Sequence, residues 1–247
     1  MFWNNAAALS VAAFAVLMAR PSLAASAEYQ VTFDATWSST THPQALPAGA
    51  HFSPLIGATH NDQVTFWHVG GTASSGIEQM AETGGRSILQ GEIEAAISAG
   101  NAEAVILGGG ISSPNSISSS FNVSDDFPLV TLVTMVAPSP DWFVGVEGVN
   151  LRANDAWIPN LTLELLPYDA GTDSGLAFTS ADLDTIPRGT ISPLATPFDG
   201  TTPLGTFTFR LVPEPSAIPL LGSAGLALLL ITTRHRSLRE RRSENRR

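Results

Sequence analysis

Apolar and polar side chains alternate along residues 29–37, and Tyr29, Val31, Phe33 and Trp37 fall on one face of an extended chain. A period of two over this length predicts a half-buried first strand. Residues 129–136 do not alternate: Leu129, Val130, Leu132, Val133, Met135 and Val136 form a nearly continuous apolar run, which predicts a strand buried on both faces. Pro138 and Pro140 must end that strand, because proline offers no ladder donor, and an apolar stretch over 142–149 begins the next at once. Further strands are predicted at 162–166, 176–179 and 206–211, with residues 121–123 opening the run that leads to 136. Residues 72–82 carry Ile77, Met80 and Ala81 at helical spacing behind Ser74 or Ser75 as cap. Residues 86–99 place Ile88, Leu89, Ile93, Ala96 and Ile97 on one helical face. The Ser-, Thr- and Pro-rich stretch 38–50 reads as a loop. Residues 51–60, with Pro54 and Gly57, read as irregular, pinned backbone, and the Gly- and Ser-rich stretch 108–120 as a mobile surface loop. Many short strands and only two helices predict a mainly β fold, an antiparallel β-sandwich with two short helical insertions.

The two ends of the 247-residue chain differ from its middle. Residues 1–27 hold an apolar stretch followed by Ala25-Ser26-Ala27, which fits the small-x-small pattern of signal cleavage and predicts a signal peptide with mature protein starting near Glu28; the absence of Lys and Arg before the apolar stretch leaves an uncleaved anchor as the alternative. Residues 216–233 are an uncharged run of 18, long enough to span a bilayer as a helix, and seven arginines follow between 234 and 247. Arginines flanking such a span stay cytoplasmic, which puts the preceding chain outside. Residues 28–212 are thereby delimited as one exported domain and 213–247 as a terminal signal.

Removing the ends sharpens the charge balance. The chain has no lysine, and residues 28–212 hold four arginines against 19 carboxylates, a balance of −15. So acidic a surface excludes nucleic acid and anionic membrane as partners and suits divalent cations. No cysteine is present, so no disulfide staples the domain.

Candidate chemistry concentrates at Asp141, held between Pro140 and the pair Trp142 and Phe143 on a tight connection between two core strands. It is either a turn-capping residue or a metal ligand at the sandwich rim. Asp169 and Asp173 sit in a second turn, where Gly171 and Gly175 permit sharp bends that could aim carbonyls or Asp173 inward. His42, His51, His60 and His68 have no compact zinc spacing and read as structural or exposed. A Gly-x-Ser-x-Gly elbow is absent, and no specific pair of carboxylates suggests glycosidase chemistry.

Four strings occur in order: Val31-Thr32-Phe33 with Thr36-Trp37-Ser38; His51 through His60; Ser139-Pro140-Asp141-Trp142-Phe143-Val144-Gly145-Val146; and Pro167-Tyr168-Asp169-Ala170-Gly171-Thr172-Asp173-Ser174-Gly175. Together they resemble the spondin amino-terminal domain of the F-spondin and mindin type, from Tyr29 to about Leu211. That resemblance implies a C2-like β-sandwich, extracellular adhesion and one bound Ca²⁺. It implies Asp141 and Asp169 as ligands, with Asn122 in the place of a third, acidic one; exchanging a carboxylate for an amide weakens calcium binding. Val212-Pro213-Glu214-Pro215-Ser216, followed by the apolar run and the arginines, resembles a PEP-CTERM sorting signal. This implies an exosortase-type processing enzyme as partner, transient anchoring in the inner membrane through the C-terminal helix, and delivery to the cell surface or exterior of a bacterium. The expected function is a non-enzymatic binding module for an extracellular matrix or exopolysaccharide component. A secreted hydrolase acting on matrix polysaccharide is the alternative.

Overall fold

The computed structural model describes residues 26–213. Its elements in order are β1 (Ser26–Ala35), β2 (His51–Phe52), β3 (Ile56–His60), α1 (Ser75–Thr83), α2 (Ser87–Ser98), β4 (Ala102–Leu107), β5 (Ile111–Ser112), β6 (Asn115–Ser124) and β7 (Leu129–Ala137). After them come β8 (Trp142–Asn150), β9 (Arg152–Ala153), β10 (Ala156–Trp157), β11 (Asn160–Leu165), β12 (Tyr168–Asp169), β13 (Ser192–Pro193) and β14 (Gly205–Leu211). Every pairing between these strands is antiparallel.

One sheet has the order β11-β14-β1-β6. The other runs β13-β12-β8-β7, and along the far edge of β7 lie β2 and β3 end to end, each backed by a further strand, β5 and β4. Tyr29, Val31 and Phe33 of β1 and Phe207 and Phe209 of β14 face Val130, Leu132, Val136, Trp142 and Val144 of β7 and β8 across the sandwich. The opposite face of β7 and β8, with Val133, Met135, Ala137 and Phe143, is covered by Ile77, Met80 and Ala81 of α1, and Leu89 and Ile93 of α2 extend the same core beside β3 and β4. β7 is therefore apolar at consecutive positions because each face has its own core. Ser74 caps α1 by accepting the Ile77 N–H, and Gly84, left-handed at φ +68, ends it.

Three expectations are corrected. Residues 51–60 are not irregular throughout: β3 is fully buried between β4 and β7. A Cβ on Gly57 would stand 2.0 Å from the Thr131 carbonyl oxygen, so glycine there permits a close strand approach rather than a bend. Residues 108–120 are largely strand, since β6 pairs with β1 over its whole length and keeps Ser116, Ser118 and Ser120 on the outer face. Residues 176–179 form no strand; they belong to a loop closed by the Asp173–Asp184 bridge.

The expected leader lies outside the described residues except for Ser26 and Ala27, which open β1 opposite Ser124 and Val123. The sorting signal and its apolar span lie outside them beyond residue 213. Among the described residues no helix is long and apolar enough to cross a membrane.

The sandwich has two distinct poles. At one, Tyr29 Oη donates to the carbonyls of Ile158 (2.7 Å) and Leu151 (3.3 Å), and the Val212 N–H donates to Glu28 O. At the other, Trp37 and Trp142 both pack on Phe178 and Phe198. Both ends of the described chain lie at the first pole, and Asp141 lies at the second.

Candidate metal centre

Asp141 sits on the four-residue connection between β7 and β8. Ser139 Oγ accepts the Trp142 N–H at 3.1 Å, which closes the turn around it. Its side chain is fully buried. Oδ2 accepts from the Thr172 N–H (2.8 Å), the Asp173 N–H (3.1 Å) and the Thr172 hydroxyl (3.3 Å). Oδ1 is equally buried and has no hydrogen-bond partner. The arrangement is a carboxylate half solvated by the protein and half left bare, and the bare half costs free energy unless a proton or a cation reaches it.

β12 brings the second carboxylate alongside: Asp169 pairs with Trp142 in the β12–β8 ladder, and the Ala170 N–H donates to Asp141 O at 3.1 Å. Asp169 Oδ1 accepts the Gly171 N–H at 2.8 Å, an Asx turn. Burial and the neighbouring charge of Asp141, opposed by that N–H, push the Asp169 carboxyl up to about 6. Burial likewise raises Asp141, against the donors from Asp173 and Thr172.

A carboxylate that sequence reasoning missed comes from the last turn of α1. Glu82 carries a buried Oε1 with no hydrogen-bond partner. Burial raises its pKa; the Thr172 hydroxyl counters this, and the charges of Glu78, Asp182 and Asp141 add to it. Asp173 shapes the floor of the site, with Oδ1 accepting from the Gly175 N–H at 2.5 Å and Oδ2 from the Leu183 N–H at 2.7 Å. Glu82, Ser139, Asp173 and Asp182 are among the residues lining a cavity of about 200 Å³ here.

The expected ligands thus separate. Asp141 and Asp169 are brought to one pole, whereas Asn122 stands exposed on β6 of the other sheet, opposite Glu28 and at the pole that holds the ends of the described chain. The reason is register: β6 pairs with β1 from Asn115 to Ser124, which fixes Asn122 at the wrong end of the sandwich. Among the described residues no three His, Cys, Asp or Glu side chains form a ready-made metal cluster. The donors nevertheless suit a hard cation: two bare carboxylate oxygens and the Thr172 hydroxyl, all oxygen. The ion pairs among the described residues, Arg152 with Asp125 and Arg188 with Glu78, engage neither Asp141, Asp169, Asp173 nor Glu82. His60 and His51 are engaged otherwise: His60 Nδ1 donates to Asn61 O and its Nε2 meets the Thr131 hydroxyl, both at 2.8 Å, and His51 Nδ1 donates to Gly49 O.

The family model described as Spondin_N matches residues 27–204. The chain belongs to the spondin amino-terminal family. Human Spondin-2 is 35% identical over 208 residues, covering 82% of this chain and 62% of that protein. Rat Spondin-2 is 36% identical over 171 residues, 67% of this chain and 52% of that protein. Rat Spondin-1 is 34% identical over 178 residues, 68% of this chain but 22% of the relative. This spondin domain protein thus spans less than two thirds of the Spondin-2 relatives and about a fifth of Spondin-1. The matched region includes both halves of the acidic pole, Asp141 on the β7–β8 connection and the 169–175 turn.

Proposed function

We propose that the protein is an exported binding module of the cell surface or extracellular matrix, whose acidic pole is organised by one Ca²⁺. The observation that carries this reading is the fully buried Asp141 carboxylate with a bare Oδ1, crowded by Asp169 and Glu82. Asp141, Asp169 and Glu82 would hold the ion, with Asp173 and the Thr172 hydroxyl shaping the floor. Calcium supplies the positive charge that lets these carboxylates be ionised together, and the residues supply the hard oxygens it prefers.

The loop that depends on the site shows how occupancy would bear on binding. Residues 171–189 carry Leu176 and Ile186, each 86% exposed, on a backbone whose hydrogen bonds run through Asp173. Pinning the acidic base of this loop fixes the surface it offers to a matrix or exopolysaccharide component. Because Ser26 and Val212 leave from the opposite pole, a sorting segment after residue 213, of the kind processed by an exosortase, would leave this surface facing away from its attachment. The family relationship supports an extracellular, non-catalytic role.

Retention of the protein on exopolysaccharide of the producing cell, with calcium or with chelator, tests the proposal. Saturable retention that needs calcium and leaves the polysaccharide intact is expected. Release of reducing ends, abolished by changing one carboxylate, would replace this reading with that of a secreted hydrolase.

A further inference from the structure

Arg188 lies on the returning arm of the acidic loop, yet its guanidinium reaches across to the start of α1. Nη1 donates to Ala73 O at 3.1 Å, and Nη2 pairs with the Glu78 carboxylate and lies 3.5 Å from Ser75 Oγ. Glu78 and Glu82 are four residues apart, on one face of the same helix. The loop arm bearing Arg188 is in turn bonded to the arm bearing the site: Gly189 N–H to Gly171 O and Thr185 N–H to Thr172 O, both 2.7 Å. At this crossing a Cβ on Gly171, whose φ is +72, would meet Gly189 backbone at 2.7 Å, so the two arms touch main chain to main chain. From the other side Glu92 of α2 grips the same turn of α1, accepting from Ser74 Oγ at 2.6 Å and the Gly76 N–H at 2.8 Å. α1 is therefore clamped between α2 and the acidic loop, and Arg188 is the loop's side of the clamp.

We infer that Arg188 is a positioning residue for the cation site: by joining the acidic loop to α1 it sets the separation between Glu82 on the helix and Asp141, Asp169 and Asp173 below the loop. The inference rests on the calcium reading above. Arg188 itself touches none of the proposed ligands, and its charge opposes a bound cation. Two consequences of its removal therefore have opposite signs. Losing a positive charge and freeing the Glu78 carboxylate would tighten cation binding by electrostatics alone, whereas losing the clamp lets Glu82 drift from the other carboxylates and weakens it. Residues that orient ligands in this indirect way change metal affinity by about 10- to 100-fold when removed.

The test is a calcium titration of the wild type, Arg188→Ala, Arg188→Lys and the exchanged pair Glu78→Arg/Arg188→Glu, with far-UV circular dichroism and the chelator-treated melting temperature to confirm that each variant is folded. Arg188→Ala is expected to bind calcium at least about tenfold more weakly. Arg188→Lys, which keeps the charge but not the planar fork, should fall between it and wild type, and the exchanged pair should recover part of the loss. Equal or tighter binding by a folded Arg188→Ala overturns the clamp while leaving the calcium site standing. Absence of calcium binding by the wild type removes both. If Arg188→Ala does not fold, Arg188→Lys decides: wild-type affinity in that variant overturns the inference.

Discussion

A carboxylate with three donors on one oxygen and none on the other is asymmetric in a way that substitutions can read. In Asp141→Asn the amide oxygen can still accept the Thr172 and Asp173 N–H groups, so the fold should be retained while calcium no longer raises the melting temperature. Asp141→Ala leaves those buried donors unpaired and should cost about 1–3 kcal/mol even in chelator, measured by urea unfolding. Protonation adds a second prediction. Asp169 is pushed up to about 6 in the folded chain from an ordinary value of 3.8. The folded state therefore binds more protons than the unfolded one between those values, and this group's contribution makes the metal-free protein less stable as pH rises from about 4 to about 6. His60 acts in the opposite direction. Burial lowers its pKa below 6.5, so its contribution is lost as pH falls through that region. Denaturation of metal-free Asp169→Asn across pH 4–7 should show a smaller decline than wild type between 4 and 6, the remainder coming from Asp141 and Glu82, which burial also raises, and His60→Gln should show a smaller acid-side loss. Unchanged pH profiles would count against the burial of these groups.

At the scale of elements, what could be read from the sequence follows from how each element is buried. β1 was legible because one face is apolar, and β7 because both are. α1 and α2 announced themselves by apolar spacing and, for α1, by the Ser74 cap. β6 was hidden because Ser116, Ser118 and Ser120 satisfy an exposed face, leaving a composition that mimics a loop; only pairing with β1 makes it a strand. The site divides in the same way. Asp141 and Asp169 stood out because prolines and glycines mark their turns. Glu82 did not, since a glutamate in a helix is ordinarily solvated, and only the packing of α1 on β7 and β8 carries it to the acidic pole. Asn122 lies apart from these carboxylates for the complementary reason, a register that neither its neighbours nor its chemistry encode. Two element-level changes test this packing. Ile77→Ala, fully buried between α1 and the sheet, should destabilise the protein by about 2–5 kcal/mol and weaken calcium binding through Glu82. Gly171→Ala, forced into a left-handed conformation against Gly189, should cost at least about 1–2 kcal/mol of stability.

For the whole molecule, the arrangement is polar in the geometric sense. The ends of the described chain and Tyr29, whose hydroxyl burial raises to about 12, occupy one pole; the carboxylates and the exposed apolar loop occupy the other. Residues 28–212 carry a balance of −15, so self-repulsion works against the compact state throughout and is most concentrated where Glu82, Asp141, Asp169, Asp173 and Asp182 meet. A cation bound at that pole would relieve the repulsion where it is strongest and hold the loop that faces outward. Calorimetric titration of Ca²⁺ into chelator-treated protein at neutral pH measures this directly. The account predicts one ion per chain, a higher melting temperature on binding, and loss of both in a folded Asp141→Asn; no binding by the wild type, or undiminished binding by that variant, would contradict it.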